Sequence, residues 1–165
     1  MTPADRLVSV LEPVSERLFA IPEAEADRRP EPDRWSKKEI LGHLIDSASN
    51  NHHRIVRALL EPGVAFPGYE QDGWIRTQAY RSESWSDLVN LWLALNRHLA
   101  HIIRAIPEPA LAHECVVGSK PSIPLTSLIE GYLDHLQHHL QQVLDGLKPN
   151  TTTDRVSVSS PVNRT

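Results

Sequence analysis

Three histidines, His135, His138 and His139, fall within five residues of one another, inside a stretch from Leu128 to Val143 whose apolar residues recur at helical spacing. On a helix, His135 and His139 are four apart and stand one above the other, each able to turn a ring nitrogen toward a shared cation. At about 100° per residue, Leu128, Tyr132, His135, His139 and Val143 lie within roughly 80° of one another, whereas His138 is about 100° from His139. The pair therefore flanks the apolar stripe, and His138 points elsewhere. Such a pair also arises by chance in a chain with nine histidines, so alone it leaves a metal site and a fortuitous pair both open. The zinc-protease mechanism finds no support, because Leu136 follows His135 where that motif carries its general base. A third ligand has to come from another part of the chain.

A chain of 165 residues suits one domain with a core of four or so helices. A formal charge of -4 and a pI near 6.1 give no basic field for nucleic acid or anionic lipid. No segment approaches the length of unbroken apolar sequence that spans a membrane, and Met1 to Ala20 carries Asp5, Glu12, Glu16 and Arg17 where a signal peptide is apolar. The expectation is a cytoplasmic protein with neither nucleic-acid nor membrane partners. Cys115 is the single cysteine, which excludes an intrachain disulfide and leaves histidine and carboxylate as ligands for any metal. Its neighbours Glu114 and Val116 form no reactive-cysteine motif.

Four segments carry helical stripes. In the first, Thr2-Pro3 reads as an N-cap with proline at the first helical position, followed by Leu7, Val10, Leu11, Val14, Leu18 and Ile21; Pro13 predicts a kink or a late start. Pro22 to Asp33 reads as an exposed connection. The second begins at the capping box Ser36-Lys37-Lys38-Glu39, with Trp35 and Ile40 placed as a hydrophobic staple. Ile40, Leu41, Leu44, Ala48, Ile55 and Leu59 make its core face, while His43, Ser47, Asn50 and Arg54 recur along a polar line that either borders a pocket or is simply the solvated side. The third spans about Ser84 to Ala105, with Leu88, Leu91, Trp92, Leu95, Leu99, Ile102, Ile103 and Ile106 as its stripe; Asn96 lies beside it and needs a hydrogen-bond partner, and His98 and His101 fall away from it as surface residues. The fourth follows Pro124, with Leu125, Leu128, Ile129, Tyr132, Leu136, Leu140, Val143 and Leu144 inward and Gly146 as its stop.

The connections are informative too. Residues 61–82 hold Gly63, Gly68, Gly73, Pro62 and Pro67 beside Phe66, Tyr69, Trp74 and Tyr80; these rings either form a lid over a site or cap the core, and Trp74 to Gln78 allows a helical turn. Ala110 to Ile123 has only Val116-Val117 as strand material, too little for a sheet, and reads as a crossover. Residues 1–147 then form the domain and 148–165 a disordered polar tail.

Four amphipathic helices without credible strands bury their stripes best as a bundle, whose interior builds metal sites from facing helices. His43, near the well-capped end of the second helix, is the natural third ligand, although spacing alone does not bring it to His135 and His139. The chain resembles the DinB-like (YfiT-like) superfamily over about Trp35 to Val143. The resemblance rests on Trp35-Ser36-Lys37-Lys38-Glu39-Ile40-Leu41-Gly42-His43-Leu44-Ile45-Asp46-Ser47, on Tyr69 to Tyr80 with Trp74, on Asn96, and on Asp134-His135-Leu136-Gln137-His138-His139 with Gln142 three residues on.

The resemblance implies an all-α four-helix bundle with two long crossover connections, often dimeric, in which His43, His135 and His139 hold a divalent ion such as zinc or nickel with positions left open to water. It also implies thiol-dependent chemistry, since relatives include S-transferases for bacillithiol-type low-molecular-weight thiols and mycothiol-dependent isomerases. Three neutral imidazoles leave the ion its full charge and favour an anionic further ligand, which suits S-transfer and hydrolysis alike. Ser47, Asn50, Arg54 and Tyr132 are the pocket candidates, with Arg54 able to hold a carboxylate. Asp46 and Gln142 are candidate acceptors for the ligand imidazoles. The rival readings are a non-catalytic metal- or ligand-binding module, and a metal-free helical protein.

Overall fold

The computed structural model describes residues 1–145. Four long helices make the body: α1 (Pro3–Phe19), α3 (Lys37–Leu60), α5 (Trp85–Ala105) and α6 (Leu125–Asp145). Two short ones sit in the connections, α2 (Glu23–Asp27) and α4 (Gln71–Gln78). Helix α1 packs on α5, α5 on α3, α3 on α6 and α6 back on α1, so the ring of neighbours does not follow chain order. The chain therefore crosses between non-neighbours twice, at 20–36 from α1 to α3 and at 106–124 from α5 to α6, while 61–84 is a long connection between the neighbours α3 and α5.

The helix starts are chemically fixed. Thr2 and Asp5 form a capping box on α1, and Ser36 and Glu39 another on α3, each satisfying two otherwise orphaned backbone N–H groups. Ser84 caps α5 through the Asp87 N–H. Pro13 does not delay α1, which runs unbroken from Pro3; the proline and Ser9, whose carbonyl it leaves unpaired within the helix, are both exposed. Trp92, Leu7, Leu11, Leu18, Leu41, Leu44, Leu88, Leu99 and Ile129 are among the fully buried side chains where the four stripes meet.

Three expectations need correction. Leu91 is 43% exposed: it stands about 60° from Leu88, outside the sector that α1 and α3 cover. Pro22 to Asp33 is not wholly open, because α2 buries Ala26. The second crossover is not strand-free: β2 (Glu114–Val117) pairs parallel with β1 (Ala65–Phe66) and antiparallel with β3 (Ile123–Pro124). These pairs are too short to stand alone, but they tie the connection 61–84 to that crossover over a bundle already holding Phe66 and Cys115 at its edge. The aromatic connection caps the core at Phe66, Ile75 and Tyr80, all buried, while Trp74 stays exposed and Tyr69 half-buried against it. The helical turn expected at Trp74 to Gln78 is α4, starting three residues earlier. The stop at Gly146 and the tail 148–165 lie outside the described residues.

Candidate metal centre

His43 enters the second turn of α3, a fully buried stretch from Lys38 to Ala48, and is 1% exposed. His135 and His139 come from the middle of α6, which packs along α3. The three rings converge: their centroids lie 4.9 Å (His43 to His135), 4.9 Å (His43 to His139) and 4.5 Å (His135 to His139) apart. One nitrogen from each can be chosen so that all lie within 4.8 Å of one another, the one such group of three His, Cys, Asp or Glu side chains among the described residues.

The donor set fits a divalent ion. His43 Nε2 stands 3.0 Å from His135 Nε2. Two imidazole nitrogens about 2.05 Å from a tetrahedral ion would be about 3.3 Å apart, so a few tenths of an ångström of opening suffice. Both rings are held neutral. Burial, then the neighbouring imidazoles His135 and His139, push His43 down from 6.5 to about 3. Burial, with His139 and His138 beside it, pushes His135 down to about 4. Lone pairs are thus available without proton release at neutral pH. The tautomers are steered from outside: His139 Nδ1 is 2.8 Å from Gln142 Oε1, and His135 Nδ1 is 3.4 Å from Ser47 Oγ. In each case an Nδ1–H donating outward leaves Nε2 free to face the other rings. His43 Nδ1 is buried and has no partner among the described residues.

Other expected residues are placed differently. Tyr132 is in the core, 3% exposed, its hydroxyl donating to Asn96 Oδ1, while Asn96 Nδ2 donates to the Trp92 carbonyl. It therefore lines no open pocket, and Asn96 has its partner. Asp46 does not meet an imidazole: its Oδ1 accepts from Gln78 Nε2 (2.5 Å) and the Tyr80 hydroxyl (2.6 Å), and its buried Oδ2 is unpartnered among the described residues. Burial raises the Asp46 pKa despite those two donors. Asn50 donates to the Asp46 carbonyl at 2.9 Å. Arg54 is half-buried and has no hydrogen-bond or ion-pair partner among the described residues. His138 is exposed, its Nε2 3.0 Å from Gln142 Nε2.

Three neighbours of the site carried little signal in the sequence. Trp35 lies against His43 with ring centroids 5.3 Å apart, and its indole N–H donates to Asp72 Oδ1 at 3.2 Å. Tyr80 lies across Gly42, where a Cβ would overlap the phenol ring. A glycine inside a well-formed helix was the available hint, since it costs stability unless something must come close. Gln78, the third, joins Tyr80 on Asp46 and anchors the aromatic connection beside the triad. A cavity of about 400 Å³ opens elsewhere, lined by Ile103, Arg104, Ile129 and Glu130 among others, and includes none of the three histidines. Its ion-paired Arg104 and Glu130 make no convergent donor set, so the triad is the stronger candidate.

Comparison with known proteins follows the same lines. The chain is 23% identical over 146 residues to YfiT of Bacillus subtilis (strain 168), across 86% of this chain and 82% of that protein. The solved structure of that YfiT, described as "a probable metal-dependent hydrolase with an unusual four-helix bundle topology", superposes with a TM-score of 0.75 at 20% identity, over 86% of this chain and 84% of that one. A mycothiol-dependent maleylpyruvate isomerase superposes with a TM-score of 0.70 at 16% identity, over 87% of this chain and 61% of the isomerase. These structural likenesses show the fold. The family model of the DinB superfamily matches residues 5–143, and with the out-of-order helix ring and nearly the whole described chain inside that match, this protein belongs to the DinB superfamily.

Proposed function

We propose that this chain is a metal-dependent enzyme of the thiol S-transferase or hydrolase type, with His43, His135 and His139 as the ligands of a divalent ion, zinc or nickel. The observation that carries the reading is the convergence of three imidazoles across the α3–α6 seam, His43 and His135 held neutral by burial. A bound ion would supply Lewis acidity, lowering the pKa of a thiol or water at a position the three histidines leave open. The protein's own part is to hold the lone pairs inward through Gln142 and Ser47, to keep the His43 and His135 rings uncharged by burial, and to shield one side with Trp35. The relatives' descriptions lend support: one names a metal-dependent hydrolase, the other a dependence on the thiol mycothiol.

The substrate is a small molecule, with a low-molecular-weight thiol as co-substrate. The compartment we assign is the cytoplasm; among the described residues no helix is long and apolar enough to cross a membrane. A homodimer is proposed through the adjacent α1 and α5, where Val8, Phe19 and Leu91 are exposed. The deciding experiment is elemental analysis of untagged protein beside His43→Ala and His139→Ala, folding checked by circular dichroism, followed by screens for thiol transfer and ester or amide hydrolysis. About one ion per wild-type chain, lost in both folded variants, with turnover that tracks the ion, is the expected result. A bound ion without turnover makes the protein a binding module, and a wild type that cannot be loaded ends the metal reading.

A further inference from the structure

The aromatic connection lies against Gly42 and Asp46 of α3, and further along that helix stands Arg54, a cation with no ion-pair partner among the described residues. His43, Ser47 and Arg54 follow one another at intervals of four and seven residues, so the three share one face of α3 within about 40°. Ser47 is already at the triad, its Oγ 3.4 Å from His135 Nδ1. Arg54 is half-buried and unpaired among the described residues, whereas the half-buried Arg6 meets Glu130, Arg29 meets Glu39, and Arg57 meets Glu61 at 3.0 Å. Partial burial without a counter-ion lowers even a guanidinium's pKa, as it does here.

Tyr69 connects the two ends. It feels both the Asp46 carboxyl and the Arg54 guanidinium, and burial foremost pushes its phenol up to about 12, so it remains an O–H donor. Its ring is braced by Trp74 at 4.8 Å. Side chains on a helix lean toward its N-terminus, which carries Arg54 back toward Ser47 and His43.

We infer that Arg54, with the Tyr69 hydroxyl, is a binding site for a carboxylate on the ligand whose reacting end lies at the histidine triad. This rests on the triad reading above and adds the substrate class: a carboxylate-bearing small molecule. A phosphate monoester fits less well, because one guanidinium and one neutral phenol match a single negative charge, and the Asp46 carboxyl also acts on Tyr69. The reach is set by the helix. Eleven residues place the His43 and Arg54 Cα atoms about 16 Å apart, and the lean of the arginine shortens the gap to roughly 10 to 14 Å. A ligand with its thiol and carboxylate close together cannot span it.

The test uses cobalt-loaded protein, whose charge-transfer band reports thiolate at the ion. Mercaptoacetate, mercaptohexanoate and mercaptoundecanoate are titrated beside mercaptoalcohols of equal length, into wild type, Arg54→Met, Arg54→Lys and the control Arg57→Met, whose arginine is already ion-paired to Glu61. The expected result is an acid-over-alcohol preference of about tenfold or more for the longer thiols only. It should disappear in Arg54→Met, survive in part in Arg54→Lys and be unchanged in Arg57→Met, with cobalt content constant throughout. Equal binding of acids and alcohols in wild type overturns the inference while leaving the triad standing. So does a preference that survives Arg54→Met, or one lost equally in Arg57→Met, which would mark long-range charge and not a site. Failure to load cobalt, or a loaded protein whose spectrum no thiol changes, overturns the thiol-metal reading itself and this inference with it.

Discussion

Helix α3 carries two gatherings of histidine, and only one has the geometry of a metal centre. At its buried N-terminal half, His43 meets His135 and His139 from α6 with ring nitrogens turned to a common point. About two and a half turns on, His52 meets His98 of α5 at a centroid distance of 5.3 Å, and His98 stacks on His101 at 6.3 Å with ring planes only 18° apart. Each group has three imidazoles from two helices. In the second, His98 and His101 are exposed and nearly parallel, and the three rings do not bring their nitrogens together as a ligand set. In the first, the rings are edge-on to one another with interplanar angles of 74°, 79° and 69°, which aims lone pairs inward. The number of histidines is therefore a weak criterion; burial that keeps them neutral, and acceptors that set their tautomers, make the difference.

The contrast breaks most sharply under alanine substitution. His43→Ala, His135→Ala or His139→Ala should each weaken metal binding on the order of a hundredfold or more, if about 10 to 16 kcal/mol of binding is shared over four ligands. Competition titration with a chromophoric chelator measures it, and His52→Ala should bind as wild type does. A second difference is pH. For His43 and His135 the folded pKa values, about 3 and about 4, lie below the unfolded 6.5, so the unfolded chain binds more protons between those limits. The metal-free protein should be at full stability above pH 6.5 and lose up to a few kcal/mol as pH falls toward 4. Urea midpoints against pH, for wild type and His43→Phe, would show whether the triad is the origin.

Smaller effects follow at the roof over the triad. Gly42→Ala should lower unfolding stability by about 2 kcal/mol, because the added methyl overlaps Tyr80 and the phenol is tied to Asp46. A change below about 0.5 kcal/mol would mean that Tyr80 moves aside freely. Gln142→Leu removes the acceptor on His139 Nδ1 and should cost metal affinity about tenfold with the fold intact. The least is expected of His52→Ala and His98→Ala, within about 0.5 kcal/mol of wild-type stability by thermal denaturation, as for partly exposed side chains in general.

The helices themselves were legible along the chain. Ser36 and Glu39 announced the start of α3 within a residue, and the stripes of α5 and α6 matched their buried faces apart from Leu91. The short strands escaped because β1 and β3 have two residues each and owe their pairing to the connections being brought side by side, which no local pattern encodes. Tyr132 was read both as an inward residue and as a pocket candidate; it is inward, and its hydroxyl reaches Asn96 on α5 through the bundle core, which the period of one helix does not reveal. Asp46 was a candidate acceptor for the ligand imidazoles; the aromatic connection supplied its donors instead, Gln78 and Tyr80, from more than thirty positions along the chain.

What the sequence determined by itself was local: caps, stripes, and the four-residue spacing that puts His135 and His139 on one face, all consequences of a fixed 3.6-residue turn. His43 at the third corner, the neutrality of the rings, the orphaned Arg54 and the ring order α1–α5–α3–α6 were decided by tertiary structure. Each depends on which distant segments exclude water from a side chain, and burial of that kind is a property of the assembled bundle.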